Sequence, residues 1–352
     1  MKLWGWLGTR RRLRINMLVP EPHPGAGGDI GLFRIADYLA EFGHDVRVYV
    51  VSYISMNDYT TEQVRDYMRE HFPRTRAIYH KWSGSARAAD CTLATFWPTV
   101  ANVVALPNSG KRFYIVQDFE PSFYPDVPVN YRGAEETYRA GLHCITLGRW
   151  LARLLREQYG ATTNYFDFAV DPGIYRPQRR TDQQRRVCFY ARPSTPRRAY
   201  ATGIEALRLV KAQVPEVDVS LFGSGTLEPE PPFPYTNRGK ISEHDLAQLF
   251  SNSDVGLVLS LSNPSFVPLE MLACRCAVVE IASERFEEIL THDVDSWLVE
   301  PTANAIADGV VKLLTDNALR ERLAEAGYGR ARKMSWRKSV QQIEEVLLRE
   351  TP

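Results

Sequence analysis

Arg192 and Arg197 fall in the stretch Tyr190-Ala-Arg-Pro-Ser-Thr-Pro-Arg-Arg198, directly after an apolar run. Two guanidinium groups at a strand end, on a loop stiffened by Pro193 and Pro196, suit a diphosphate, which each can grip with paired hydrogen bonds. Arg198 competes for the second role, and solvated surface arginine is the plain alternative. Glu270 is the lone charge in Phe266-Val-Pro-Leu-Glu-Met-Leu-Ala273. A carboxylate is rarely buried without a partner. Glu270 is therefore either a helix acid exposed near the helix dipole or a ligand-facing acceptor for hydroxyl groups. Gln117 and Asp118 follow the apolar run Phe113-Tyr-Ile-Val116, and the carboxyl ends of parallel strands are where α/β ligand sites form. Asp118 could accept from a substrate hydroxyl or cap a turn.

Gly27 and Gly28 lie in Pro24-Gly-Ala-Gly-Gly-Asp29, ahead of a helical pattern. Glycines let backbone approach a ligand, and the helix start offers N–H groups to an anion. The dinucleotide pattern fails here: position 30 is Ile30, and the acid about 20 residues on, Asp45, precedes its strand. Gly223-Ser-Gly225 is a further turn at a strand end. Asp293-Val-Asp295 has the Asp-x-Asp spacing of metal-binding pairs but reads as a turn, and the histidines show no ligand spacing. The sequence thus predicts no metal and no cofactor, and it carries neither a P-loop nor a nucleophile elbow.

Elements that hold such residues at strand ends must alternate strand and helix. Residues 15–19 read as a buried strand, 20–28 as a Pro- and Gly-rich loop, 29–42 as a helix ending at Gly43, and 46–51 as the next strand. That is a βαβ unit and implies a parallel sheet. Thr60 to Gln63 can cap a helix running to residue 71. Residues 91–94 and 113–116 read as strands, and 147–159 as a helix stopped at Gly160. The pattern breaks at 168–177, and 178–186 is a polar, basic linker. It restarts with strands 187–190, 217–222 and 255–260, helices 200–212 and 242–251, the Glu270 helix, strands 277–279 and 297–299, and a helix over 303–314. Residues 335–348 form a capped amphipathic helix.

The length, 352 residues, allows two ordinary domains. A hydrophobic fraction of 44% and a charged fraction of 24% are those of a globular protein. A formal net charge of +1 gives no reason to expect nucleic acid as a partner. The five cysteines lack metal-ligand spacing and predict buried free thiols in a reducing, cytoplasmic compartment. No apolar run approaches the ~18 residues that span a bilayer. Trp4, Trp6 and Arg10 to Arg12 could touch the inner face of a membrane peripherally, or form a frayed tail.

The stretch Ser262-Asn-Pro-Ser-Phe-Val-Pro-Leu-Glu-Met-Leu-Ala273 resembles the donor-binding motif of retaining glycosyltransferases of family 4, whose pattern is an acid, seven residues and a second acid. Glu270 matches the second acid, which in that family holds the ribose; the first would fall at Ser262. Arg192 matches the Arg of the family's Gly-Arg-Leu segment, Arg197 falls at its Lys position, and Gly239-Lys-Ile-Ser242 matches the segment lining the nucleobase. The family's usual His near the strand end is replaced by Gln117 and Asp118. The resemblance implies the α/β GT-B fold, with two doubly wound Rossmann-like parallel-sheet domains facing a cleft. The domains would be residues 1–177 on the acceptor side and 178–334 on the nucleotide-sugar side, with 335–352 packing back on the first. It implies catalytic roles for Asp118, Arg192 and Arg197. Donor contacts would come from Gly27, Gly28, Gln117, Gly223, Lys240, Ile241, Ser265, Phe266 and Glu270. The implied reaction moves a sugar from a nucleotide diphosphate sugar to a glycan or lipid-linked oligosaccharide, with retention. The Ser-Asn-Pro-Ser-Phe variant is similar to bacterial rhamnosyltransferases of surface polysaccharide synthesis and points to dTDP-rhamnose. A non-catalytic scaffold and a nucleotide-sugar epimerase are the alternatives.

Overall fold

The structure, a computed structural model, describes residues 11–72, 76–178, 182 and 184–352. The N-terminal tryptophans and Arg10 lie outside the described residues. The strands are β1 (Arg14–Pro20), β2 (Asp45–Val51), β3 (Ile78–Lys81), β4 (Cys91–Ala94), β5 (Lys111–Val116), β6 (His143–Leu147), β7 (Thr163–Phe166), β8 (Arg186–Tyr190), β9 (Asp218–Phe222), β10 (Thr236–Gly239), β11 (Val255–Leu257), β12 (Ala277–Ile281) and β13 (Trp297–Val299). They form a seven-stranded sheet, β3-β2-β1-β4-β5-β6-β7, and a six-stranded sheet, β10-β9-β8-β11-β12-β13. Every pairing in both is parallel. The order folds back on itself in each sheet, which opens a crevice at the carboxyl ends of the central strands.

The helices are α1 (Gly27–Glu41), α2 (Thr61–His71), α3 (Trp97–Ala105), α4 (Pro128–Thr137), α5 (Arg149–Tyr159), α6 (Tyr200–Gln213), α7 (Glu243–Ser251), α8 (Val267–Ala273), α9 (Ala303–Thr315), α10 (Asn317–Ala331) and α11 (Trp336–Glu350). Central strands are buried on both faces, so they read as continuous apolar runs: β4, β6 and β12 expose nothing. The capping box at Thr60 forms, with Thr60 Oγ1 accepting from Gln63 N–H and Gln63 Oε1 from Thr60 N–H. Gly160 ends α5 in the left-handed conformation. All five cysteines are buried free thiols.

The structure revises the expected helix over 147–159. Leu147 is the last residue of β6, and Gly148, at φ 85°, makes the turn into α5. Strand β11 ends at Leu257 rather than at residue 260, because Ser260 turns its N–H to the Glu280 carboxylate (3.0 Å). Helix α10 was not anticipated, and neither were α3, α4, β3, β6, β7 and β10.

The chain passes between the sheets twice, from β7 to β8 and from α10 to α11. Helix α11 lies against α1 and β7, with Trp336, Val340, Ile343, Val346 and Leu347 buried. Its polar contacts are specific. Ser339 Oγ donates to Asp167 O (2.5 Å) and Gln342 Nε2 to the Asp167 carboxylate (2.8 Å). Leu13 N–H donates to His44 Nδ1 (3.1 Å), which leaves the ring proton on Nε2 for Glu344 (3.1 Å). Both side chains of that pair are 2% exposed. Arg11 donates to Thr351 O (2.9 Å), tying the start of the described chain to its end.

Candidate active site

A cavity of about 1090 Å³ lies between the two sheets, walled by loops from the carboxyl ends of β1, β4, β5, β8, β9 and β11. The candidate catalytic and donor-binding residues all line it: Gly27, Gly28, Gln117, Asp118, Arg192, Arg197, Gly223, Lys240, Ile241, Ser265, Phe266 and Glu270. They come from opposite walls. Gly27, Gly28, Gln117 and Asp118 belong to the first sheet's side, and the rest to the second's.

On the second wall, Glu270 projects from the first turn of α8. Burial, reinforced by Glu243, pushes its carboxyl up to about 8, against the opposing pull of Arg34 and Tyr175. Arg192 leaves β8 and donates to Tyr190 Oη (3.0 Å), its guanidinium 5.8 Å from that ring's centroid. Gly223, at φ 104°, passes directly behind this pair. A Cβ there would stand 2.8 Å from the Tyr190 ring and 3.1 Å from Arg192 Cδ, so the turn after β9 must be glycine. Ser265 Oγ and Trp336 Nε1 are buried in the wall and have no hydrogen-bond partner among the described residues.

On the first wall, Gln117 Nε2 donates to Gly28 O (3.1 Å), pinning the glycine loop to the end of β5. Gly31, on α1, packs so closely that a Cβ would meet Gln117 Oε1 at 2.9 Å. Glu120, 3% exposed, accepts from Trp97 N–H (2.7 Å). Burial raises its carboxyl to about 8; the nearby Tyr114 hydroxyl and the Trp97 N–H oppose this and Asp118 adds to it. Glu280 beneath the cavity is raised well above the usual range, again by burial first. Burial thus biases both carboxyls toward the neutral form in the folded protein. A carboxyl raised on folding contributes stability that is complete below its unfolded value near 4.5 and is lost as pH climbs through its folded value. The melting temperature should therefore fall between pH 6 and 9. Glu120→Gln should flatten that fall by several degrees in a thermal melt series; an unchanged slope would show that Glu120 does not titrate there.

Asp118 joins the walls. Its Oδ1 accepts from Phe119 N–H (2.8 Å) and Asn263 N–H (2.9 Å), and its Oδ2 from Ser262 Oγ (3.0 Å) and Arg197 Nε (3.3 Å). Asn263 answers with Nδ2 donating to Gln117 O (2.8 Å) and Leu147 O (3.2 Å). Asp118 is thus clamped by protein donors rather than left open to a substrate hydroxyl. Arg197 is correspondingly engaged, with Phe123 4.0 Å below its guanidinium. Burial lowers the Arg197 pKa, and Asp118 works against that shift. Arg198 also lines the cavity but is buried, and it donates to Ser260 Oγ (2.5 Å), which holds the loop carrying Ser262 and Asn263.

Other bridges escaped the sequence. Arg34 of α1 donates to Glu243 of α7 (2.7 Å) and lies 5.3 Å from the Trp336 ring. Glu288 caps α5 across the interface, accepting from Arg149 N–H (2.6 Å) and Trp150 N–H (2.8 Å). Asp293 pairs with Arg322 (2.5 Å) and Asp295 with Arg330 (2.6 Å), as a turn and not a shared ligand set.

Residues 185–310 match the family model described as WsaF, C-terminal domain. The chain is 32% identical over 270 residues to the O-antigen biosynthesis protein RfbC of Myxococcus xanthus, covering 74% of this chain but 21% of that protein. It is 27% identical over 178 residues to phosphatidyl-myo-inositol mannosyltransferase of Mycobacterium tuberculosis, covering 46% of each. The chain therefore spans about a fifth and about half of these relatives. Among solved structures, Anabaena Alr3699/HepE in complex with UDP-glucose superposes with a TM-score of 0.75 at 16% identity, over 96% of this chain and 100% of that one. Two parallel Rossmann-like sheets facing a cleft, and neighbours of this kind, give the chain the GT-B fold of glycosyltransferases.

Proposed function

We propose that this chain is a glycosyltransferase of polysaccharide synthesis that moves a sugar from a nucleotide diphosphate donor to a glycan acceptor. One observation carries the reading: the interdomain cavity gathers Arg192, Glu270 and Ser265, the last with an unpartnered buried hydroxyl, on the wall that matches the WsaF domain. The O-antigen protein and the mannosyltransferase among the relatives, and UDP-glucose in the HepE structure, support the same class of chemistry. In this reading Arg192 meets the charge that develops on the leaving diphosphate. Preorganised cations do this most effectively in a closed, water-poor cleft. Gly27 and Gly28 lie against the diphosphate and sugar, Lys240 and Ile241 beside the base. The donor is dTDP-rhamnose, transfer is retaining, and no metal takes part. Ser262 in place of an acid supports a 6-deoxy sugar, which presents fewer hydroxyls. Five buried free thiols fit a cytoplasmic setting; among the described residues no helix is long and apolar enough to cross a membrane.

The test incubates the protein with a panel of sugar nucleotides and a lipid-linked acceptor, with chelator and then with added magnesium, and resolves the anomer formed. Retained transfer from dTDP-rhamnose in chelator is the expected result. Activity lost in chelator and restored by magnesium would overturn the metal-free part. Neither transfer nor donor hydrolysis with any nucleotide sugar would leave a non-catalytic partner subunit.

Glu270 gives a sharper check. A carboxyl accepts more strongly from the nucleotide's sugar hydroxyl when it is ionised, and burial raises the Glu270 carboxyl to about 8. Nucleotide affinity should therefore rise from pH 6.5 to 9. Glu270→Gln should weaken binding by about 1–3 kcal/mol and abolish the pH dependence. An unchanged dissociation constant in calorimetry would remove Glu270 from the ribose.

A further inference from the structure

Asp118 and Arg197 meet where both walls line the cavity, and their geometry divides the carboxylate in two. Oδ1 is fixed by backbone N–H groups, Phe119 at 2.8 Å and Asn263 at 2.9 Å. Oδ2 is held by a hydroxyl, Ser262 at 3.0 Å, and by the Arg197 side chain at 3.3 Å. The first pair orients the group; the second holds its other oxygen against Arg197 in the wall of the cleft. Arg197 therefore has an anion already bound. That anion is internal, and its side chain is 10% exposed. A partly buried cation changes partners readily only when the new anion replaces what the old one supplied. A diphosphate does so, bringing more charge and more acceptor oxygens than one carboxylate edge.

We propose that Asp118 is a built-in stand-in for phosphate, which holds Arg197 in the empty cleft and yields it to the diphosphate of an incoming nucleotide. This rests on the reading of the cleft as a nucleotide diphosphate site. The exchange breaks one ion pair and forms another, with no proton or bond transferred. It frees one lone pair on Oδ2 while Oδ1 and Ser262 keep the carboxylate in place. Asp118 then has an acceptor position for a substrate hydroxyl only after the donor is seated, so the donor binds first and the second substrate follows.

Asp118→Asn separates this device from a structural clamp. The amide oxygen still accepts from Phe119 and Asn263, and the NH2 group can donate to Ser262 Oγ, so the clamp survives while the competing charge is gone. UDP, dTDP and GDP are titrated calorimetrically into both proteins, with the monophosphates alongside, and turnover is measured separately. The expected result is diphosphate binding tighter by about tenfold or more, with turnover reduced. Affinity and rate thus move in opposite directions, which loss of a structural residue would not produce. Ser262→Ala, which loosens the same contact without touching its charge, should not tighten binding. Diphosphate affinity unchanged or weakened in Asp118→Asn, or tightened equally in Ser262→Ala, overturns the proposal. Binding of no diphosphate by either protein overturns instead the nucleotide reading on which it stands.

Discussion

Arg192→Ala should lower turnover by about 10²–10³-fold, the loss seen when one preorganised donor to a developing negative charge is removed, while the melting temperature stays nearly constant. The reason lies in what Arg192 does not hold. Its one side-chain hydrogen bond goes to a neutral hydroxyl, Tyr190 Oη, and among the described residues no carboxylate forms an ion pair with it. Arg197, by contrast, has Asp118. On the proposed reading Arg192 is therefore a cation already available to a leaving diphosphate, held in place by the Tyr190 ring and by the glycine turn at Gly223. Arg192→Lys should recover part of the rate, since charge persists and the planar fork is lost. Turnover within threefold of the parent protein in Arg192→Ala would move the leaving-group contact elsewhere, and Arg197 would be the next cation to test.

A chain ending at Met334 should fail to fold to a soluble, cooperatively melting protein. Helix α11 buries Trp336, Val340, Ile343, Val346 and Leu347 against α1 and β7. At roughly 1.5–3 kcal/mol for each large apolar side chain, the burial lost is comparable to the whole stability of an ordinary domain, about 5–15 kcal/mol. Removal would also strand His44, whose Nε2–H has Glu344 as its partner at 3.1 Å in a buried pair. The check is soluble yield with the melting curve by circular dichroism. A truncated protein melting as the full chain does would show that α11 contributes little to the first sheet's core.

The site was legible where backbone chemistry signals it locally. Glycines before a helix, arginines on a proline-bounded loop and a lone acid in an apolar helix all occupy strand ends, and in a parallel sheet strand ends share one rim. This is why residues scattered from Gly27 to Glu270 meet in one cavity. The partners of those residues were not legible. Asp118 and Asn263, or Arg34 and Glu243, are far apart in sequence and meet only because the two sheets face each other. Nothing in the local pattern around Asp118 distinguishes an acid open to substrate from one already saturated. The errors in element boundaries have a similar origin. Strand β6 runs through Gly148 into α5 with apolar residues on both sides of the turn, so its end read as helix. Helix α10 buries only Leu323, Ala324, Gly327 and Ala331, too few large residues to print a helical stripe.

The double passage of the chain between the sheets has a mechanical consequence. A body tethered at one point can swing and twist about every axis through it. A body tethered at two can turn only about the line that joins them, as a gate does on paired pins. The segments from β7 to β8 and from α10 to α11 are two such tethers, and Asp171, Ile174 and Tyr175 of the first line the cavity. Two tethers favour widening and narrowing of the cleft over twist. On the proposal above, Arg197 would then withdraw from Asp118 and return to the same register.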